Sequence, residues 1–178
     1  MKFKSVIMDS SAVGRALTRI SHEIVENNPG ETELCMVGIM RRGAPLADVL
    51  AQKVRALGPE VRVGYLDITL YRDDLTECSP QPGLNRTEID FDITGKTVIM
   101  VDDVLFTGRT ARAAMDALIS LGRPGRIQFA ALVDRGHREL PIKADYVGRN
   151  IPTSGSEVIV VSFPPFDKEI GVALWQRD

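Results

Sequence analysis

Apolar residues along the chain fall into two patterns, short continuous runs and positions spaced three or four residues apart. The runs predict buried strands, because a parallel strand inside a sheet is apolar on both faces. They lie at residues 34–39, 61–71, 98–101 and 126–133, and near 144–148, 157–163 and 172–176. The wider spacing predicts helices at residues 12–27, 46–57 and 111–121. Ser10 or Ser11 is a candidate cap for the first helix, which Pro29 and Gly30 end.

Strands and helices alternate through the centre of the sequence, which predicts an α/β fold whose mostly parallel sheet is flanked by helices. The 178 residues are most simply one domain, residues 1–178, with no internal repeat or low-complexity linker. Residues 72–95 form a long polar segment with a candidate strand at 87–93. Loops of this size are usually functional or disordered.

Charge and composition exclude several classes of protein. Lys plus Arg (22) nearly balances Asp plus Glu (24), so the surface is not uniformly cationic, although a local basic face remains open. The first residues lack the apolar core of a signal peptide, and no apolar run approaches the length of a membrane span. We therefore expect a cytoplasmic protein without a membrane partner. Cys35 and Cys78 have neither metal-ligand nor disulfide spacing.

The sequence VIMVDDVLFTGRT at residues 98–110 combines a buried strand, two adjacent carboxylates and a turn that opens a helix. Ligands gather at the carboxyl ends of parallel strands, where Asp102 and Asp103 are expected. The turn at residues 107–110 offers unpaired N–H groups and the positive end of a helix dipole, which favour an anion. Because carboxylates repel a phosphate, this combination indicates a ligand that also brings hydroxyl groups or a metal ion. A ribose 5-phosphate has such hydroxyl groups.

This segment resembles the signature of type I phosphoribosyltransferases that binds 5-phosphoribosyl 1-pyrophosphate (PRPP). The resemblance implies that Asp102 and Asp103 are catalytic and hold the ribose hydroxyl groups, while the loop holds the 5-phosphate. The residues implied to bind PRPP, or a nucleotide product, are Asp102, Asp103, Val104, Leu105, Phe106, Thr107, Gly108, Arg109 and Thr110. The alternative is a strand end followed by an acidic turn and an ordinary helix cap.

A second basic turn, Arg41-Arg42-Gly43, also follows a strand and opens a helix. Taken alone it is a solvated turn, but in the same resemblance it is the loop that binds pyrophosphate, often through a non-proline cis peptide. The forked donors of arginine suit a diphosphate. The resemblance also implies a mobile hood at about residues 72–95, with Arg72 and Arg86, that closes over PRPP. Closure would exclude water from the reactive sugar carbon.

Longer motifs narrow the resemblance to one family. ALTRISHE at 16–23, LYRDDL at 70–75, VDRGHRELP at 133–141 and ADYVGRNIPTS at 144–154 are similar to the PyrR family, the bacterial pyrimidine operon attenuators and uracil phosphoribosyltransferases. The resemblance implies two activities. One converts uracil and PRPP to UMP and diphosphate with Mg²⁺, and the other is UMP-dependent binding of pyr leader mRNA, which promotes transcription termination.

The family resemblance also places the ligands. Uracil is expected beside Val133, Arg135 and Ile159. Mg²⁺ is expected mainly on pyrophosphate and ribose oxygens, without a dedicated protein cluster, because Mg²⁺ favours substrate phosphates and water over all-protein cages. We further expect a homo-oligomer, a dimer or higher.

The first predicted helix supports RNA binding independently of the family motifs. Its apolar residues line one face, whereas Arg15, Thr18, Arg19 and His22 line the opposite face. A polar helix face is usually only solvated, but this one is basic, and Thr18, Arg19 and His22 match PyrR. The further candidates for contact with phosphates and splayed RNA bases are Arg138, Lys143 and Arg149.

Two other functions stay open at this point. A purine or orotate phosphoribosyltransferase would share residues 98–110 but has no reason to carry ALTRISHE or RGHRELP. A regulator that binds nucleotides without turnover would not need Arg41, Arg42 and both aspartates. Neither His22 nor His137 is required as a general base, because phosphoribosyl transfer can proceed mostly by positioning and charge stabilisation.

Overall fold

The computed structural model describes residues 1–71 and 87–177, which form two sheets and three α-helices. The strands are β1 (Lys2–Met8), β2 (Glu33–Ile39), β3 (Glu60–Leu66), β4 (Thr97–Leu105), β5 (Arg126–Asp134), β6 (Tyr146–Asn150), β7 (Glu157–Ser162) and β8 (Gly171–Gln176). The helices are α1 (Ser10–Asn27), α2 (Gly43–Arg55) and α3 (Arg109–Leu121).

Five parallel strands form the main sheet in the order β3-β2-β4-β5-β6. Its central strands β2, β4 and β5 are almost wholly buried, as their uninterrupted apolar runs predict. From β2 the chain first adds β3 on one side of that strand. It then returns to the other side of β2 with β4 and continues with β5 and β6. The strand order therefore reverses between β2 and β4, which places a crevice beyond the carboxyl ends of these two strands. The predicted α/β fold is confirmed.

The helices cover both faces of the main sheet. Alternate residues of β4 contact different cores: Ile99 and Val101 pack with α1 and α2, whereas Val98 and Met100 pack with α3. The N-cap of α1 is Asp9, whose carboxylate accepts a hydrogen bond from the Ala12 N–H at 2.7 Å. The prediction of a serine cap was wrong by one residue, because a carboxylate one position earlier reaches the same N–H groups. No helix within residues 1–71 and 87–177 is both long and apolar enough to cross a membrane.

A smaller antiparallel sheet in the order β1-β8-β7 packs beside the α1 face. The sequence patterns did not predict β1, because most of its residues are exposed and its apolar positions do not form a run. Lys4 of β1 reaches across β8 and forms an ion pair of 2.5 Å with Glu157 of β7. The N-terminus is thereby joined to the C-terminal strands.

Several predicted strand bounds were wrong. β4 continues to Leu105, past the predicted end at residue 101, and β6 spans Tyr146–Asn150 and not residues 144–148. β3 ends at Leu66, and Thr69–Tyr71 is a 3-10 turn in which the Asp67 carboxylate accepts hydrogen bonds from the N–H and hydroxyl of Thr69. The candidate strand at 87–93 makes only a single bridge, between Tyr65 and Glu88. The apolar residues of that segment are packed against the α3 core. Their burial explains the apolar pattern without a strand ladder.

Candidate active site

The candidate site lies where the turn after β2 meets the end of β4. A Cβ atom on Gly43 would lie 2.3 Å from the carbonyl oxygen of Val101, so only glycine permits this approach of the two backbones. The turn therefore packs directly beside Asp102. A cleft of about 470 Å³ opens at this junction. Its lining includes Met40, Arg41, Arg42, Asp67, Thr69, Asp102, Asp103, Val104 and Thr110.

The two aspartates lie within β4, near its carboxyl end. Asp102 is 8% exposed, and its carboxylate accepts a hydrogen bond of 2.9 Å from the Asp103 N–H. The Asp103 carboxylate accepts a bond of 2.8 Å from the Val104 N–H. Burial raises the pKa of the Asp103 carboxyl, while hydrogen bonding to Asp102 and Val104 and the positive charge of Arg42 oppose part of that rise. The pair forms a fixed set of acceptor oxygens at the floor of the cleft.

The turn at residues 107–110 forms a second cleft of about 430 Å³, continuous with the first through Asp102, Val104 and Thr110. Gly108 precedes α3 with a φ of 94°, a conformation that favours glycine, and supplies no side-chain cap of its own. The Thr107 hydroxyl accepts a hydrogen bond from the Arg109 N–H at 3.3 Å. Arg109 pairs with Glu139 at 2.8 Å on the rim. This geometry suits an anion at the start of α3.

The basic turn after β2 presents its arginines to the same cleft. The Met40–Arg41 peptide bond is cis, and the Arg41 side chain is exposed. Arg42 is half-buried and pairs with Asp167, with a distance of 3.2 Å from Nε to the carboxylate. Two carboxylates and two arginines thus line one cleft, next to a helix start whose geometry suits an anion.

Of the three residues predicted beside the base, Arg135 borders an open cleft of about 490 Å³. Its guanidinium carbon lies 4.0 Å from the centre of the Phe106 ring and it donates to the Glu157 carbonyl at 2.7 Å. Val133 and Ile159 are instead packed into the core that α1 and α2 share with the sheets. Of this set only Arg135 borders a cleft, and it is itself buried, 5% exposed, against Phe106.

A model of the Phosphoribosyl transferase domain family matches residues 5–167. The chain is 58% identical over 179 residues to Bifunctional protein PyrR of Thermus thermophilus, covering 100% of this chain and 99% of that protein. It is 53% identical to Bifunctional protein PyrR of Clostridium novyi, covering 99% of this chain and 100% of that one. The chain belongs to the PyrR family of phosphoribosyltransferases. The predicted family is confirmed.

Solved structures add support for the fold of this PyrR-family chain. A hypoxanthine-guanine phosphoribosyltransferase from Bacillus anthracis superimposes with a TM-score of 0.74 at 20% identity, covering 97% of this chain and 98% of that one. The hypoxanthine phosphoribosyltransferase of Trypanosoma cruzi gives 0.74 at 14% identity, covering 99% and 98%. The type I phosphoribosyltransferase fold is thus confirmed.

The predicted RNA-binding residues on α1 form an exposed surface. Thr18, Arg19 and His22 are exposed, and Arg19 donates to the carbonyls of Val147 at 2.9 Å and Gly148 at 2.7 Å. The α1 face therefore continues onto β6. Lys53 of α2 donates to the Thr18 hydroxyl at 2.9 Å, which adds a cation that the sequence reasoning missed. Helical spacing could place Lys53 on a polar face, but it could not show that α2 lies beside α1.

The remaining predicted RNA-binding residues lie in different places. Arg149 donates to the Ile7 carbonyl of β1 at 2.8 Å, and Lys143 is exposed before β6. Arg138 lies against the turn that follows β4, residues 106–110, which is the predicted phosphate loop. There it donates to the Phe106 carbonyl at 2.7 Å and pairs with Asp134. Arg72 and Arg86 lie outside the described residues. Within the described ranges, no three His, Cys, Asp or Glu side chains are grouped to hold a metal ion.

Proposed function

We propose that this PyrR-family chain transfers the phosphoribosyl group of PRPP to uracil, forming UMP and diphosphate, and that UMP promotes its binding to pyr leader mRNA. The observation that carries the enzymatic half is the continuous cleft in which Asp102 and Asp103 lie between the basic turn at 41–43 and the start of α3. PRPP has matching chemistry, with ribose hydroxyl groups between a diphosphate and a 5-phosphate.

Each part of the cleft has a separate task. The carboxylates of Asp102 and Asp103 accept hydrogen bonds from the ribose hydroxyl groups and stabilise positive charge that develops on the sugar ring. Arg41 and Arg42 stabilise the negative charge on the departing diphosphate. N–H groups at the start of α3 hold the 5-phosphate. The bond from the anomeric carbon to diphosphate breaks, the bond from that carbon to N1 of uracil forms, and N1 releases its proton.

Phosphoribosyltransferases generally use Mg²⁺ with PRPP, and the donor set fits that ion. Asp102 and Asp103 supply carboxylate oxygens at the cleft, and they would hold Mg²⁺ together with ribose and diphosphate oxygens. When bound, the ion would neutralise charge on the diphosphate.

Turnover with PRPP and a panel of bases tests the enzymatic half. Uracil should be converted to UMP, whereas hypoxanthine, guanine and orotate should give no nucleotide. Turnover of one of those three bases, without turnover of uracil, would support the purine or orotate alternative. UMP binding by calorimetry without turnover of any base would support a nucleotide-sensing RNA binder.

The basic surface formed by α1 and its neighbours supports the RNA half of the proposal. Arg19 and Lys53 place two cations beside Thr18 and His22 on a chain whose total charge is slightly negative, and Arg19 is paired with Glu23 at 2.5 Å. Phosphate contacts of this kind give affinity that falls with salt. A filter-binding titration of pyr leader RNA with and without UMP should show tighter binding with UMP, and equal affinity in both conditions would contradict the proposal.

The turn at residues 136–140 contacts the segment before α3 and carries Arg138, one of the predicted RNA-binding residues. The Thr107 carbonyl accepts hydrogen bonds from the N–H groups of Glu139 at 3.0 Å and Leu140 at 3.1 Å. Arg109 pairs with Glu139, and Arg138 donates to the Phe106 carbonyl. A nucleotide phosphate that binds at Arg109 therefore acts on the turn that carries Arg138. We infer that UMP alters RNA affinity through this turn.

The oligomeric state, the number of domains and the cellular location of the protein are predictions. We expect a homo-oligomer of one-domain protomers in the cytoplasm. Light scattering during size-exclusion chromatography measures the mass of the assembly, and the mass of a single protomer would contradict the oligomer.

A further inference from the structure

Arg42, the half-buried arginine of the diphosphate turn, is held by a carboxylate from a distant part of the chain. Its Nε lies 3.2 Å from Oδ2 of Asp167 and its Nη2 lies 3.4 Å from Oδ1 of the same side chain. Asp167 belongs to the segment that joins β7 to β8 and is not among the residues that line the cleft. A forked contact of this kind fixes the plane of a guanidinium.

The carboxylate is itself held in place. Oδ2 of Asp167 accepts a hydrogen bond from the Phe163 N–H at 2.9 Å, and the Asp167 N–H donates to the Phe163 carbonyl at 3.1 Å. The Phe163 N–H, together with the Arg42 guanidinium, holds the pKa of Asp167 below its usual range. Asp167 is therefore negatively charged wherever Arg42 has to bind a phosphate.

This contact leaves part of Arg42 for a ligand. Within the described residues, its hydrogen bonds use Nε and Nη2, so Nη1 can donate into the cleft. The neighbouring carboxylates, Asp102 and Asp103, would otherwise attract the same guanidinium. Asp167, which is not in the cleft lining, competes with that attraction and holds the guanidinium in place.

We propose that Asp167 is a positioning residue that orients Arg42 for the diphosphate of PRPP without touching the substrate. The inference rests on the proposed function, because it takes diphosphate as the ligand of Arg42. The proposal predicts that Asp167 affects the binding of ligands that carry a diphosphate and not the binding of UMP.

Four variants separate this role from a merely structural one: Asp167→Asn, Asp167→Glu, Arg42→Ala and the double variant Asp167→Asn with Arg42→Ala. Asparagine can still accept the Phe163 N–H, but it loses the charge that holds Arg42. Glu169→Gln is the matched control, because Glu169 is an exposed carboxylate in the same segment and lies away from the cleft. The measurements are kcat and KM for PRPP, affinity for inorganic diphosphate with Mg²⁺, and affinity for UMP.

Asp167→Asn should raise KM for PRPP and weaken diphosphate binding roughly tenfold, near the low end for a partly exposed hydrogen bond to a charged group. UMP affinity and kcat should change much less, and Asp167→Glu should recover part of the loss. The double variant should be no worse than Arg42→Ala alone, because both changes remove the same interaction. Glu169→Gln should behave like the wild type.

Three results would overturn the inference: an unchanged KM for PRPP in Asp167→Asn, additive losses in the double variant, or UMP affinity that falls in parallel with diphosphate affinity. The last would show that Asp167 only maintains its own segment. Diphosphate binding is measured without turnover, so a wild-type chain that binds diphosphate but does not convert uracil would contradict the proposed function and leave this inference standing.

Discussion

Asp103 is a half-buried carboxylate of the predicted catalytic pair. Its carboxyl lies near the end of β4, its pKa is raised by burial, and it borders the cleft with Arg42. Asp103→Asn should reduce kcat/KM for uracil transfer on the order of 100-fold, because the carboxylate is expected to position and charge-stabilise the ribose. The melting temperature should not fall, since the neutral amide avoids the cost of burying a charge and can still accept the Val104 N–H.

Asp116→Asn is the matched control for this prediction. Asp116 lies on the exposed face of α3 and pairs with Arg112 one turn away, with a distance of 3.5 Å. Its removal should leave turnover unchanged. If Asp103→Asn retains the kcat/KM of the wild type, the ribose-binding assignment is wrong.

At the scale of whole elements, the ion pair between Lys4 of β1 and Glu157 of β7 spans the small sheet, and its contribution to stability should depend on pH. The ammonium group of Lys4, together with the Ser154 N–H, lowers the pKa of Glu157 to about 2 from 4.5. A depressed carboxyl pKa stabilises the folded state above the unfolded value and loses that contribution as pH falls through the folded one. Glu157→Gln should therefore lower the melting temperature at pH 7, and its difference from the wild type should shrink between about pH 4.5 and about pH 2. A difference that stays constant over this range would contradict the assignment.

The paired helices α1 and α2 carry a second prediction at this scale. Arg19→Ala and Lys53→Met should each weaken binding of pyr leader RNA and reduce the salt dependence by up to about 0.7 log unit per log unit of salt for one lost phosphate contact. Uracil transfer should survive both changes, because neither residue lines the cleft. Lys96→Met is the control, since Lys96 is a partly exposed cation that precedes the central strand β4 and pairs with Glu33. Wild-type RNA affinity in both variants would show that this face is only solvated surface.

At the scale of the whole molecule, we expect the turn at residues 136–140 to couple the two proposed activities. Glu139→Gln removes the charge that pairs with Arg109 at 2.8 Å and retains the backbone bonds to Thr107. We expect it to reduce the factor by which UMP tightens RNA binding, with little effect on RNA affinity in the absence of UMP. By linkage, the factor by which RNA tightens UMP binding should fall equally. An undiminished factor in RNA titrations with and without UMP would exclude coupling through this pair.

Local patterns were sufficient for much of the fold and for the centre of the site. The apolar runs of β2, β4 and β5 predicted buried parallel strands, because each of these strands is covered on both faces. The motif at 98–110 predicted its own strand, turn and helix, because all its parts are adjacent in the chain. Strand β1 was missed because its stability comes from pairing with β8, which lies more than 160 residues later.

By itself, the sequence determined the order of the buried elements, the family, and the residue types that suit a sugar phosphate, since each depends on neighbours along the chain. Only the tertiary structure decided which of these residues share a surface. It placed Gly43 against Val101, Lys53 beside Thr18 and Asp167 beside Arg42, and it placed Arg138 against the phosphate loop. These contacts join segments that are distant in the chain. Their geometry is set by how the strands are ordered and the helices packed, and no local periodicity encodes that arrangement.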